Sequence, residues 1–421
     1  MPLIKEKEII NVISDDDKNN LVNIFNAYFE DILHDESITF TESVTNNMLI
    51  GYAYNLLEYS DLWDEIIMKN MQIIRDEISK NKLGKEVFPD PNLVNTAYSI
   101  FFVWKNTNYF KKFVYSFNDY IVDLTNTYIQ YFYENKKNIG YNFFSLSSGL
   151  SGIGNYLLGF EGEYQAVIEE ILKILVFITD EETGNTSRIT KQIDIFENHL
   201  DFGLRNGIGG FLLVMVKAYN NNIVIPGQKK AMHSIIHTYQ QYVVYINNTT
   251  YWPGVLKLDS QIDLKDAGNT KETWAYGALA IGRILYLAGQ SVQDNDLIDW
   301  ASNIMQNKSR MFPNEFGVMN ASLFNGYSGL LSIFDAIHRN DSSIEYCNMS
   351  NELLKKIINL CIKDPQPTFK LKNILLVSER ITEVETFDDY TLGEGNTGII
   401  LSLVSTFSTA KQILHPYLGI S

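Results

Sequence analysis

The hydrophobic positions of this chain recur mostly with the spacing of amphipathic α-helices. In residues 21–32, Leu21, Phe25, Phe29 and Ile32 share one face, because positions three, four and seven apart lie together on a helix. The same spacing predicts four further helices with one buried and one solvated face, at 61–78, 109–133, 161–178 and 229–246.

A second kind of segment begins at a polar turn that contains glycine and continues as an almost unbroken apolar helix. Five of these segments span 145–160, 201–219, 272–289, 322–337 and 390–407, with matching glycines at Gly149, Gly207, Gly277, Gly326 and Gly395. Two weaker copies precede them, at 46–59 and 93–104. A helix that is apolar on every side must be covered on every side, and glycine at its start lets backbones approach closely. The pattern therefore predicts about seven units, each with an outer helix, a glycine turn and a buried inner helix.

The predicted fold is all-α, an α/α toroid of about seven inner and seven outer helices that forms one domain over residues 1–421. An open solenoid is the alternative, but its terminal repeats would need polar caps, and the last repeat is apolar almost to its end. Residues 242–259 depart from the pattern because they are rich in β-branched and aromatic residues and contain two turn signals. They are predicted to form a small β-insertion that contacts an extended partner, covers the cavity or has only a structural role.

Composition and charge narrow the possible functions. Among 421 residues there are 34 Lys and Arg against 50 Asp and Glu, a net charge of −16 that disfavours a nucleic acid partner. The two cysteines, Cys347 and Cys361, exclude a disulfide scaffold and a thiolate metal cluster and are predicted to be packing residues. The sequence has neither a signal-peptide core at its start nor a window of about 18 uncharged apolar residues. We therefore expect a cytoplasmic protein without a membrane span.

The glycine segments resemble those of the lanthionine synthetase C-like proteins, whose stand-alone members are the cyclases of lanthipeptide (lantibiotic) biosynthesis. The resemblance covers nearly the whole chain and is most specific in four places: GLSGIGNYLL from Gly149, GLRNGIGG from Gly203, TWAYGALAIGRILYLAG from Thr273 and LFNGYSGLL from Leu323. It implies a toroid of seven inner and seven outer helices. In active members it also implies a central zinc ion, which lowers the pKa of peptide thiols so that thiolates add to dehydrated Ser and Thr, after which a general acid protonates the enolate.

The zinc ligands that this resemblance implies are replaced here. The family's Trp-Cys-Tyr-Gly motif has Ala275 at its cysteine position, and the family's Cys-His pair before a later glycine is Phe324 and Asn325. Alanine and phenylalanine cannot bind zinc, and the asparagine amide is a poor substitute for imidazole. We therefore expect the protein to bind no zinc and no other cofactor.

The acid–base positions that the resemblance implies are also changed. The family's histidine before the fourth glycine is Asn206, an aspartate position is Ser145, and an arginine position is Lys271, whereas Tyr276 is retained. Asparagine and serine do not transfer protons near neutral pH. The resemblance thus indicates an intact scaffold without the family's cyclisation chemistry.

The leading hypothesis is a catalytically degenerate member of this family, a pseudoenzyme that belongs to a lanthipeptide pathway. It would hold the precursor peptide, or dock a dehydratase or an active cyclase, through the cavity mouth and the β-insertion. Such partners would place it in a modification complex that can be associated with the membrane.

Two alternatives remain open. The first is a zinc-independent enzyme with altered chemistry on a modified peptide, which would use Tyr276, Lys271 or the pair His199 and Asp201. The second is a glycan-active enzyme, because several such families share an α/α barrel. That class needs two inward carboxylates, and the weak candidates are Glu272 and Glu394. His233 and His237 have a metal-like spacing but no nearby Glu or Cys, so they are not predicted to bind a metal.

Overall fold

The computed structural model describes most of the chain, and the described residues fall into two compact units. The described ranges are 2–10, 14–34, 38–80, 89–135, 139, 141–179, 199–257, 270–361, 371–377, 380–387, 391–410 and 412–421. Unit 1 comprises Met1–Ser79, Ser99–Lys111 and Phe312–His415, and unit 2 comprises Lys80–Tyr98, Lys112–Met311 and Pro416–Ser421. The single domain over 1–421 stays a prediction.

Helices dominate the described residues of both units. In chain order they are α1 (Asp15–His34), α2 (Phe40–Ala53), α3 (Ser60–Ser79), α4 (Pro91–Thr107), α5 (Lys111–Glu134), α6 (Leu150–Leu157), α7 (Gln165–Ile178), α8 (Ile208–Asn220), α9 (Gln228–Gln241), α10 (Ala278–Val292), α11 (Asn295–Ser309), α12 (Tyr327–Asn340), α13 (Ile344–Leu360), α14 (Asn396–Phe407) and α15 (Leu414–Leu418). Among the described residues, no helix is both long enough and apolar enough to cross a bilayer.

The amphipathic segments form helices with one buried stripe each. In α3, for example, Trp63, Ile67 and Ile74 are buried and follow the three- and four-residue spacing that the sequence shows. The helix predicted over 229–246 is too long, because α9 ends at Gln241. The β-branched and aromatic residues that follow favour a strand over a further helical turn.

Every matching glycine of the five apolar segments begins a helix. Each of them is the N-cap residue of the helix that follows, at Gly149, Gly207, Gly277, Gly326 and Gly395. The helices behind them are buried on nearly all sides, and in α14 every residue from Asn396 to Phe407 is buried. The predicted order of glycine turn and buried helix is therefore present in the structure.

Buried helices pack against one another within each unit. In unit 2, α8 contacts both α6 and α10, and in unit 1, α14 contacts both α12 and α2. The Oη of Tyr28 in α1 and the Oγ1 of Thr397 in α14 are hydrogen-bonded at 2.8 Å. The first and last copies of the repeat thus lie side by side in unit 1.

In the described part of the chain, short antiparallel strands lie between the helices in three segments. Within the predicted insertion at 242–259, β2 (Val244–Ile246) pairs with β3 (Thr249–Tyr251), and β4 (Val255–Lys257) pairs with an earlier strand, β1 (His199–Asp201). The Asn-Asn turn between β2 and β3 has positive φ at both residues, as tight hairpins require. A second hairpin of β5 (Leu371–Val377) and β6 (Arg380–Phe387) was not predicted, so 242–259 is not the only departure from the helical pattern.

Candidate functional site

The Trp-Ala-Tyr-Gly turn lies in unit 2, directly before α10. The Thr273 N–H donates to the Tyr276 carbonyl at 2.8 Å, and the Tyr276 N–H donates to the Thr273 hydroxyl at 3.0 Å, so the turn is closed on itself. Trp274 is 1% exposed, and its indole N–H donates to the carbonyl of Leu418 at 2.9 Å. Ala275 is equally buried, whereas Tyr276 is partly exposed. The turn thus buries Ala275, where the resemblance places a cysteine, and presents the tyrosine.

Tyr276 forms a hydrogen-bonded pair with Asp201, the last residue of β1. The phenol donates to one carboxylate oxygen at 3.0 Å, and the Gly203 N–H donates to the other at 2.7 Å. Burial raises the pKa of Asp201 to about 6, because the loss of hydration outweighs these two hydrogen bonds, which lower it. A carboxyl group with such a pKa exchanges protons close to neutral pH.

This pair joins two residues that the zinc-independent hypothesis named separately. Asp201 and Tyr276 are distant in sequence, and the antiparallel pairing of β1 with β4 holds Asp201 in place. His199 lies two residues earlier in β1, with its Cα opposite that of Lys257. The side chain of His199 is outside the described part of the chain, so its pairing with Asp201 stays a prediction.

Glu272, one of the two carboxylates considered for glycan chemistry, has a structural role. One of its oxygens lies 2.6 Å from the Lys308 ammonium, and these side chains are only 3% and 0% exposed. The other oxygen accepts the Leu279 N–H at 3.0 Å in the first turn of α10. The Lys308 ammonium also lies 4.1 Å from the centre of the Tyr251 ring in β3. Since both oxygens are occupied, the glycan-active alternative loses this candidate.

The partner of Glu272 was missed in the sequence, although a signal for it exists. Lys308 follows Leu297, Ala301 and Ile304 on the buried stripe of α11, at helical spacing. A lysine on an apolar stripe is seldom fully buried unless it is paired. The position therefore indicated a buried carboxylate partner, without indicating which one.

Two of the three replaced acid–base positions of unit 2, Ser145 and Asn206, contain no proton-transfer group. Ser145 is 1% exposed; its hydroxyl is 2.9 Å from that of Ser147 and donates to the Arg205 carbonyl at 3.1 Å. Asn206 is partly exposed and lies directly before the N-cap residue of α8. Lys271 is exposed. Serine and asparagine do not titrate near neutral pH, so Lys271 is the one replaced position with a titratable side chain.

The corresponding turn of unit 1, directly before α12, is bonded to residues that precede α14. The Asn325 amide nitrogen donates to one Glu394 oxygen at 2.5 Å, and the Ser322 hydroxyl donates to the other at 3.0 Å. Phe324 is 5% exposed, and its N–H donates to the Gly393 carbonyl at 2.8 Å. Its ring lies so close to Gly393 that an added Cβ there would be 2.6 Å from Cε2. Phe324 and Asn325 thus serve packing and hydrogen bonding at the two positions where the resemblance places zinc ligands.

The side chains at the three ligand positions do not fit a zinc ion. Ala275 and Phe324 have no atom that can coordinate a metal, and the Asn325 amide nitrogen is directed at Glu394. In the described ranges, no three His, Cys, Asp or Glu side chains are grouped so as to hold a metal ion. The absence of zinc from the protein stays a prediction that a metal measurement must test.

The remaining candidates lie apart from these turns in the sequence. His233 and His237 are exposed on α9, where they line a groove. Cys347 is partly exposed in α13, and Cys361 is buried directly after that helix. The burial of Cys361 fits the packing role expected from the sequence.

Comparisons with known proteins identify the family. The model of the lanthionine synthetase C-like protein family matches residues 49–417. The chain belongs to the lanthionine synthetase C-like family. Among solved structures, nisin cyclase superposes with a TM-score of 0.72 at 18% sequence identity, covering 97% of this chain and 98% of that one. A search of the curated proteins finds no match. The family and the all-α, α/α toroid class that the sequence predicted are both confirmed.

Proposed function

We propose that this member of the lanthionine synthetase C-like family does not carry out zinc-dependent cyclisation and acts instead by binding. Its partners would be a lanthipeptide precursor, a dehydratase or an active cyclase, and it would act in the cytoplasm. The observation that carries the proposal is the turn before α12. There Phe324 packs on Gly393 and Asn325 donates to Glu394, at the two positions where the resemblance places a cysteine and a histidine.

Two further observations support the loss of cyclisation. Ala275, at the third ligand position, is buried and offers no donor atom. Ser145 and Asn206 replace the family's aspartate and histidine, which removes the general acid that the family's reaction needs. The glycine turns and buried helices are nevertheless present, and this is expected of a protein that has kept a binding surface while losing its chemistry.

A binding measurement tests this proposal. The genes next to that of this protein are searched for a lanthipeptide precursor, a dehydratase and a cyclase, and the purified protein is titrated with each product, the precursor both unmodified and dehydrated. We expect saturable binding of at least one of these partners, and no zinc retained after dialysis against a chelator. The binding role is refuted if none of the partners binds, and near-stoichiometric zinc refutes the loss of the metal site.

The pair of Asp201 and Tyr276 favours a second candidate function, a zinc-independent enzyme on a modified peptide. A carboxyl group with a pKa of about 6, bonded to a phenol, is suited to general acid–base catalysis at neutral pH. Under this function, the wild-type protein changes the peptide in the absence of zinc, either in mass or in the number of thiols that can be alkylated, and Asp201→Asn would abolish this change. If the wild-type protein produces neither change, this candidate is eliminated.

A further inference from the structure

Two aromatic side chains meet on the surface of unit 2, where β3 packs on α11. Tyr245 of β2 is 60% exposed, and its hydroxyl accepts a hydrogen bond from the indole N–H of Trp300 at 3.4 Å. Trp300 is partly exposed, and its ring packs edge to face on the buried ring of Trp252, with the centroids 5.9 Å apart. The indole is thus supported on two sides, so its position is set before any ligand binds, which reduces the entropic cost of binding.

The exposed charged side chains of α11 are carboxylates. Asp296 is exposed and lies four residues before Trp300, so the two share one face of the helix. A long side chain on a helix leans over the preceding turn, which directs the indole towards Asp296. Asp299 is exposed as well, whereas Lys308, the only basic residue of α11, is buried against Glu272. The strands β2 and β3 contain no charged residue.

We propose that this aromatic surface, formed by Tyr245, Trp300 and Asp296, binds a basic segment of the precursor peptide. The inference rests on the proposed function, because it assigns a surface to the binding role. The face of an aromatic ring attracts an ammonium or guanidinium group, and a carboxylate beside the rings can accept a charge-assisted hydrogen bond from it. Tyrosine and tryptophan are also the residues that most often contribute large binding energies at interfaces.

Charge favours a basic peptide over a second copy of the chain as the occupant. The chain has a net charge of −16, so a second copy is repelled, whereas a basic segment is attracted. Tyr245 also belongs to the insertion at 242–259, for which the sequence left contact with an extended partner as one of three roles. The aromatic surface gives that role a location and a partner chemistry.

The test uses full-length protein and two labelled synthetic peptides. One peptide alternates lysine and serine, and in the other acetyl-lysine replaces every lysine, which removes the charge. Binding is followed by fluorescence anisotropy at low and at physiological salt. The surface variant combines Tyr245→Leu with Asp296→Asn, and the matched control combines Tyr133→Leu with Asp119→Asn on α5, where Tyr133 is 45% exposed and Asp119 is exposed. Both variants lose one exposed phenol ring and one negative charge, so long-range charge effects are similar.

We expect the lysine peptide to bind more tightly than the acetyl-lysine peptide, and more tightly at low salt. The surface variant should weaken binding of the lysine peptide roughly five- to tenfold, because it loses a cation–π contact and an ion pair, and the control by less than about twofold. Equal affinity for the two peptides, equal losses in the two variants, or no binding by the wild-type protein would overturn the inference.

Two further measurements separate this inference from the proposed function. If the surface variant binds the real precursor as tightly as wild type, the surface assignment fails while the binding function stands. If sedimentation shows a wild-type dimer that the surface variant converts to a monomer, the occupant is a second copy and the inference is overturned. If the wild-type protein binds the lysine peptide at this surface but binds no precursor or partner, the proposed function itself fails.

Discussion

The turns before α10 and α12 both end in a glycine, but they use their side chains differently. Gly277 and Gly326 are both N-cap residues. In the turn before α10, Tyr276 meets Asp201 in a pair that can exchange protons. In the turn before α12, Asn325 donates to the carboxylate of Glu394 and Phe324 is buried.

The difference shows which parts of a glycine turn the fold requires. An added Cβ at Gly326 would collide with the Ser322 nitrogen and the Asn320 side chain, so the backbone geometry depends on glycine. The neighbouring Phe324 has to satisfy only packing and its backbone hydrogen bond to Gly393. The helix start therefore does not depend on a zinc-binding side chain at this position, because Phe324 fills it while Gly326 remains the N-cap residue.

Deleting the last repeat is expected to have the largest effect on stability. A chain that ends at residue 389 lacks Glu394, which bonds the turn before α12, and α14, which packs between α12 and α2. It also loses the hydrogen bond from Ser402 Oγ to the Ser328 carbonyl at 2.7 Å. We expect loss of cooperative folding, measured by circular dichroism during heating. A soluble product with a sharp thermal transition would contradict this account of unit 1.

Breaking the buried ion pair behind the turn before α10 should have the next largest effect. Lys308→Met removes the counter-ion of Glu272, whose side chain is 3% exposed, and it should cost about 3–5 kcal/mol of the free energy of unfolding. The matched control is Lys355→Met, which breaks an exposed ion pair with Glu352 and should cost less than about 1 kcal/mol. Urea denaturation compares the two variants, and similar losses would show that the Lys308 pair is not structural.

A side chain at Gly277 is expected to cause a smaller loss of stability, through backbone strain. Its φ of 107° is rarely adopted by residues with a side chain, and an added Cβ would lie 2.6 Å from a Glu272 oxygen. We expect Gly277→Ala to destabilise the protein by about 1–3 kcal/mol. Gly159→Ala is the control, since an added Cβ there meets nothing within 4 Å. Equal stability of the two variants would indicate that the turn adapts to a side chain.

The smallest expected change in stability comes from substitution of Asp201, and it depends on pH. The pKa of Asp201 is about 6 in the folded protein, above its ordinary value, so folding favours the protonated carboxyl group and the charged form costs stability. This cost is absent at pH values below the ordinary pKa and complete above about pH 6. Asp201→Asn should therefore stabilise the protein by about 1–2 kcal/mol at pH 8, with the gain fading towards pH 4. Thermal melts of the wild-type and Asp201→Asn proteins between pH 4 and pH 8 test this prediction. A stability difference that does not change with pH would contradict the raised pKa of Asp201.

The sequence was informative where one local pattern determined one structure. Gly149, Gly207 and the later glycines stand where a polar turn meets an apolar run, and each begins a helix. The pairing of Asp201 with Tyr276, like that of Glu272 with Lys308, joins residues distant in sequence, so periodicity could not reveal it. The hairpin of β5 and β6 was missed although residues 380–387 contain several β-branched residues, because charged residues alternate with them and weaken the apolar pattern.

The central claim is that the scaffold remains while zinc-dependent cyclisation is lost, and ring closure measures this most directly. The dehydrated precursor peptide is incubated with the protein and zinc, free thiols are alkylated, and mass spectrometry counts the alkyl groups over time. A parallel incubation without protein gives the spontaneous rate, and nisin cyclase with its own dehydrated peptide shows that the assay detects closure. We predict that the protein closes rings no faster than the spontaneous rate. Closure that is faster than this, and that a zinc chelator abolishes, would contradict the account.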